Sequence, residues 1–384
     1  MKKILFISHD ASRTGAPIVF LNFLRWFKEN TDIPFKILLR NGGPLEGDFT
    51  NLAPTMIFNE DCQTRSQRIL RGLGRWHPEG QLRKFLSTDA IGLIYSNTIT
   101  NHTVLSQISS FLQCPVISHI HELDYWIYRT GIQNFEITKA LTFHFIAVSS
   151  AVKRNLIAHH NIGETCISTV YEFVPTATRD HQQALKNKHE IRHQLNIPLD
   201  AFVVGASGTL DWRKGADLFI QLARTVRYTN LEAPIYFLWL GGDEKQDHLR
   251  FYELRHDLKK LNLEHTAIFL SNQPNPLDYF ATFDVFALLS REDPYPLVCL
   301  EAASLGKPIL CFDRAGGEQE FVEDDGGFVV PYLDIETMAA KICLLFESPE
   351  LRERLGQRAA QKVKENHDIS ASACQILHII QRFL

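Results

Sequence analysis

From residue 290 the chain reads Ser290-Arg291-Glu292-Asp293-Pro294-Tyr295-Pro296-Leu297-Val298-Cys299-Leu300-Glu301-Ala302. An apolar run, Val285–Leu289, precedes this segment and a helical pattern follows it, so it reads as strand, loop and helix. Asp293 and Glu301 stand eight residues apart across the loop and the helix. A carboxylate on such a loop can accept hydrogen bonds from sugar hydroxyls, and one further along the helix can accept from both hydroxyls of a ribose. Loop amides and the positive end of the helix suit ligand oxygens. The same pattern also describes a capping acid followed by a solvated glutamate.

A second segment, Gly205-Ala206-Ser207-Gly208-Thr209-Leu210-Asp211-Trp212-Arg213-Lys214-Gly215, repeats the order of strand, small-residue loop and helix. Small residues let the backbone come close to a ligand, and the adjacent cations Arg213 and Lys214 suit a diphosphate. Taken alone, a Lys-Gly pair before a helix is as readily a solvated lysine.

Loops of this kind need strands to hold them. Short apolar runs alternate with amphipathic stretches along the whole chain, the pattern of an α/β protein with parallel sheets. Strands are expected at Ile4–Ile7, Phe35–Leu39, Leu93–Tyr95, Val116–His119 and Phe145–Val148, then at Phe202–Ala206, Tyr236–Leu240, Ile268–Leu270, Val285–Leu289 and Ile309–Phe312. A polar stretch from Thr176 to about Pro198 separates the two sets and holds the linker and the first helix of the second domain. A final helix from Ser370 must bury the stripe Ile376, Leu377, Ile380 and Phe383. These boundaries give domains at 1–178 and 179–366, with 367–384 as a C-terminal helix.

The 384 residues are enough for two cores, and 45% hydrophobic with 22% charged residues is a globular composition. A net charge of −4 gives no general attraction to nucleic acid. The seven cysteines are scattered, without a C-x-x-C pair or a metal-ligand cluster, which fits a reducing cytoplasm and no metal site. The N-terminal apolar run is too short for a signal peptide, and no stretch reaches membrane-spanning length.

Together the two loop segments resemble the C-terminal half of the retaining glycosyltransferase family four, whose GT-B architecture sets two Rossmann-like domains across a central cleft. The family's E-x7-E motif is matched from Ser290 through Ala302, and its G-R-L-x-x-x-K-G loop by Gly208 to Gly215. Gly241-Gly242, Gly316-Gly317 with Glu320, and Asp325-Gly326-Gly327-Phe328-Val329-Val330-Pro331 follow in the family's order. In the first half, Thr14-Gly15-Ala16-Pro17 resembles the glycine loop near the donor phosphates. His119-Ile120-His121-Glu122 resembles the segment whose histidine lies near the donor sugar, with His121 as the match; a lone histidine at a strand end is also a common structural residue. Asp293 replaces the family's usual glutamate, Pro294-Tyr295-Pro296 its G-F-G, and Thr209 its arginine. Two prolines remove amide donors, leaving Tyr295, Leu297 and Val298 as candidates.

The resemblance implies transfer of a sugar, with retained configuration and no obligatory metal or cofactor, from a UDP- or GDP-linked donor to an acceptor hydroxyl. In that scheme Lys214, Arg213 and helix amides stabilise the departing diphosphate, Asp293 orients the sugar and Glu301 holds the ribose. Gly15, Ala16 and Thr209 line the donor, and Asn272 lies where the base is read. The C-terminal helix would cross back onto the first domain. Competing readings are a nucleotide-sugar binder without turnover, a GT-B epimerase and a phosphorylase. An NAD-dependent dehydrogenase would require a G-x-G-x-x-G loop with an acid about 20 residues on, which neither half has.

One further segment is basic: Arg65, Arg68, Arg71, Arg75, Arg83 and Lys84 interleave with Ile69, Leu70, Leu73 and Trp76. Such a face could make peripheral contact with anionic lipid at the inner side of the membrane, or with a phosphate-bearing acceptor. A solvated basic face over the core is the alternative.

Overall fold

The computed structural model of the chain describes residues 2–58, 78–87, 89–175, 179–229 and 234–384. It divides into two compact units. The first comprises Met1–Glu172 with Ile369–Leu384, and the second Phe173–Asp368.

The first unit carries seven parallel strands: β1 (Lys3–Ser8), β2 (Phe35–Leu39), β3 (Thr55–Ile57), β4 (Ile91–Asn97), β5 (Val116–Ile120), β6 (His144–Ala147) and β7 (Ile167–Thr169). They lie in the order β3-β2-β1-β4-β5-β6-β7. The second unit has six, also parallel: β8 (Phe202–Ser207), β9 (Ile235–Leu240), β10 (Ala267–Leu270), β11 (Val285–Ala287), β12 (Ile309–Phe312) and β13 (Gly327–Val330). Their order is β10-β9-β8-β11-β12-β13. Each sheet therefore reverses direction of growth once, between β1 and β4 and between β8 and β11. Open parallel sheets bind ligands at the carboxyl ends of the strands flanking such a switch point.

The expected strands all form, with ends moved by a residue or two. The edge strands β3, β7 and β13 were not expected: β3 and β7 are three residues long and partly exposed, and β13 carries the apolar Phe328-Val329-Val330. Central strands are buried on both faces, as helices on both sides of a parallel sheet require. Phe6 on β1 is the centre of an aromatic cluster with Phe20, Phe23, Phe27, Phe35 and Tyr95, ring centroids 5.3–6.0 Å away. Phe20, Phe23 and Phe27 share one face of the helix Gly15–Asn30 by their three- and four-residue spacing, and this face is what seats the helix on the sheet.

The C-terminal helix Ile369–Gln381 belongs to the first unit and packs on the helix Gly15–Asn30. Its buried stripe is Ala373, Ile376, Ile379 and Ile380, while Leu377 is only half-buried. No helix among the described residues is long and apolar enough to cross a membrane.

Candidate active site

At the switch point of the second sheet, two loops are braced against each other. In the first, Asp211 caps the single 3-10 turn Trp212–Lys214 by accepting from the Lys214 N–H at 3.0 Å. Gly215 ends the turn at φ 76°, with the Leu289 carbonyl 2.1 Å from where a Cβ would sit, so only glycine fits. The turn aims Lys214 Nζ at Asp293 Oδ2 of the second loop, 2.5 Å away, and Arg213 Nη1 comes within 3.6 Å of the same oxygen. Ser290 Oγ donates to it at 2.9 Å. Arg213 also donates to the Glu292 carbonyl, and the Arg291 N–H to the Arg213 carbonyl. Arg291 completes the brace with a two-point pair to Asp217, a hydrogen bond to the Trp212 carbonyl and its guanidinium 5.0 Å from the Trp212 ring centre.

Asp293 is 4% exposed. Burial alone would raise its pKa, but the charges of Lys214 and Arg213 and the hydrogen bonds outweigh it and hold the carboxyl below its ordinary value. Its backbone pairs with the Gly316 segment, where the Asp293 carbonyl leaves no room for a side chain at Gly316. Behind it Glu318 is buried with neither carboxyl oxygen hydrogen-bonded, and burial, then the nearby Asp293, push its pKa well up.

The loop then enters the helix Leu297–Ser304, whose cap residue Pro296 offers no side-chain acceptor. The first-turn amides of Leu297 and Val298 are thus donors that the helix itself cannot satisfy. One turn on, Glu301 is half-buried. Burial pushes its carboxyl to about 7.

The carboxyl end of the first sheet is organised around His121. Its Nδ1 lies 2.6 Å from Glu172 Oε1 and its Nε2 2.8 Å from Asn97 Oδ1. The Asn97 amide nitrogen donates to the Ala16 carbonyl, which turns the Asn97 oxygen toward the histidine. Both ring nitrogens therefore face acceptors, the arrangement of an imidazolium. Burial lowers the His121 pKa, but the charge and hydrogen bond of Glu172, then Glu122, outweigh it and raise the value. Glu122 accepts from the amides of His121 and Ile99, and its carboxyl stands at about 7, raised chiefly by burial. At the end of β4, Thr98 adopts φ 79°, a strained state for a β-branched residue.

The candidate residues thus fall in two groups. Asp293, Lys214, Arg213, Thr209, Tyr295, Leu297, Val298, Glu301 and Asn272 are in the second unit; His121, Gly15 and Ala16 are in the first. Arg213 points inward at Asp293. The Thr209 hydroxyl donates to Asp211 and so fixes the loop. The Tyr295 side chain is buried, its hydroxyl 3.2 Å from His367 Nε2. Asn272 is exposed at the end of β10, with its N–H donating to Gly242. Asn97 and Glu172 carry no motif and only the fold brings them to His121. Of the basic segment, Arg65, Arg68, Arg71 and Arg75 lie outside the described residues, as do its apolar partners. Arg83 pairs with Glu79 on its own helix and covers the Phe111 ring, and Lys84 is exposed.

Residues 187–362 match the family model described as glycosyl transferases group 1. The lipopolysaccharide core biosynthesis glycosyltransferase LpsD of Rhizobium meliloti is 28% identical over 191 residues, 50% of this chain and 52% of that protein. The amylovoran biosynthesis glycosyltransferase AmsD of Erwinia amylovora is 34% identical over 156 residues, 41% and 42% of the two chains. The chain spans about half the length of these curated relatives. In the structure of HepE from Anabaena in complex with UDP-glucose, the match covers 100% of both chains with a TM-score of 0.82 at 19% identity. Through residues 187–362 the chain is similar to the glycosyl transferases group 1 family, and its fold is of the GT-B kind.

Proposed function

We propose that the protein transfers a sugar, with retained configuration, from a nucleoside diphosphate sugar to a hydroxyl of a saccharide or glycolipid acceptor. The observation that carries this reading is the braced loop pair of the second unit. There, two cations converge on one buried carboxylate, next to uncapped helix amides and a half-buried glutamate on the same helix. Cations and amides match a diphosphate, and Glu301 matches the ribose diol.

In this reading Lys214 and Arg213 hold the diphosphate more tightly as it departs and gains charge, which is what lowers the barrier. Asp293 aims both cations; a direct bond from its carboxylate to the donor sugar would require Lys214 to move onto the diphosphate first. His121 is a positioning residue, since its ring nitrogens are engaged by Glu172 and Asn97. LpsD, AmsD and the UDP-glucose complex of HepE support the reading. A binder without turnover is the second reading, favoured by the Lys214–Asp293 pair closing on itself.

The test is turnover of UDP- and GDP-sugars with a panel of saccharide acceptors, in the presence of EDTA. Lys214→Ala is expected to reduce kcat by about 10²–10³-fold, as loss of an oxyanion-type donor does. Nucleotide binding without product under every condition would establish the binder instead. Absence of nucleotide binding would sink both readings.

A further inference from the structure

The first sheet has its own switch point, and one charge there is unaccounted for. Arg40 follows β2 directly, and its N–H donates to the Ser8 carbonyl at 2.9 Å, extending the β1–β2 pairing. Its side chain then passes over the carboxyl end of β1, and Nη1 donates to the Thr100 carbonyl beyond β4. The guanidinium therefore spans the crevice between β1 and β4, half-buried. Among the described residues a carbonyl is its only side-chain partner, Nε is buried without a hydrogen bond, and no carboxylate pairs with it.

The acids near the crevice are engaged elsewhere. Asp10 Oδ1 accepts from the Ser12 N–H and lies 3.5 Å from His9 Nε2. Glu122 is held by two amides, and Glu172 by His121. His9, Thr98 and Thr100 line the same place, with Thr98 Oγ1 2.8 Å from Thr100 Oγ1 and 3.5 Å from His9 Nδ1. A half-buried guanidinium without a counter-ion, near His9 and flanked by hydroxyls, has the chemistry of an anion site. Its position at a switch point is where such sheets take ligands.

We propose that the acceptor carries an anionic group, a phosphate or a carboxylate, and that Arg40 binds it in the crevice between β1 and β4. This deepens the glycosyltransferase reading and rests on it for the word acceptor, while the anion site stands on the geometry alone. A guanidinium fork takes either anion at two points, so a neutral saccharide leaves it unmatched.

Calorimetric titration of the full chain tests this, with glucose 6-phosphate, glucuronate and glucose as probes and UDP at saturation to fill the second unit. At least one anionic sugar should bind, and glucose at least about tenfold more weakly. Arg40→Gln should weaken the anionic sugar by at least about tenfold and leave UDP affinity unchanged, which also reports that the variant is folded. Phosphate against glucuronate distinguishes the two anions. Equal binding of glucose and both anions by the wild type, no binding of either anion, or undiminished binding by Arg40→Gln overturns the proposal. Failure of UDP to bind would overturn the donor reading and leave the Arg40 titration to be judged on its own.

Discussion

The two sheet ends share one strand order and use it differently. In the second unit the polar groups come from two short loops, and glycines force those loops together. In the first they come from the ends of β1, β2, β4 and β5 and from the residue before the unit boundary, and two of them, Asn97 and Glu172, meet on the buried His121 ring. One topology thus supplies two crevices. A loop pair built from consecutive residues makes a compact cationic clamp, whereas side chains gathered from five places make a network in which each member holds another.

The largest effect should come from Glu172→Gln in the first unit. It removes the counter-charge of a buried imidazolium and should lower stability by about 3–5 kcal/mol in acid solution. His121 has a folded pKa above its unfolded value, so the pair's stabilisation is fully present below about pH 6.5 and is lost as pH rises through the folded pKa. Urea unfolding across pH should show the gap between wild type and variant narrowing toward alkaline pH. A gap that stays constant or widens would mean that His121 is neutral.

Gly215→Ala breaks the other side. With φ at 76° and the Leu289 carbonyl in the way, the substitution should cost about 1–3 kcal/mol and displace Lys214. UDP binding should fall while the pH dependence traced to His121 is unchanged. Full UDP affinity in this variant would show that the 3-10 turn does not position the clamp.

The smallest effect is expected at Glu301. Glu301 is protonated below about 7 and ionised above it. If the carboxylate takes the ribose, UDP-glucose affinity should rise about tenfold between pH 6 and 8, as the ionised fraction does. Glu301→Gln should bind more weakly with a flat profile. A wild-type profile that is itself flat would remove Glu301 from the ribose.

Which of this was legible beforehand follows from the same contrast. Parallel strands buried on both faces write continuous apolar runs, so both sheets could be read from the sequence apart from β3, β7 and β13. The segments Gly208 to Gly215 and Ser290 to Ala302 were legible because each is one local unit, with the chemistry a few residues from the strand that holds it. That Asp293 faces Lys214 and Arg213, and that Arg291 locks the two loops, depended on a meeting of residues 79 apart in sequence. The first unit depends on such meetings still more. Residue types at 121, 172, 97 and 40 carry no spacing signal toward one another. Local periodicity and glycine set the strands, the helical faces and the two motif loops, and these are properties of neighbouring residues. Which acid neutralises which cation, and which cation is left over, follows from folding, because crossover connections set those neighbours.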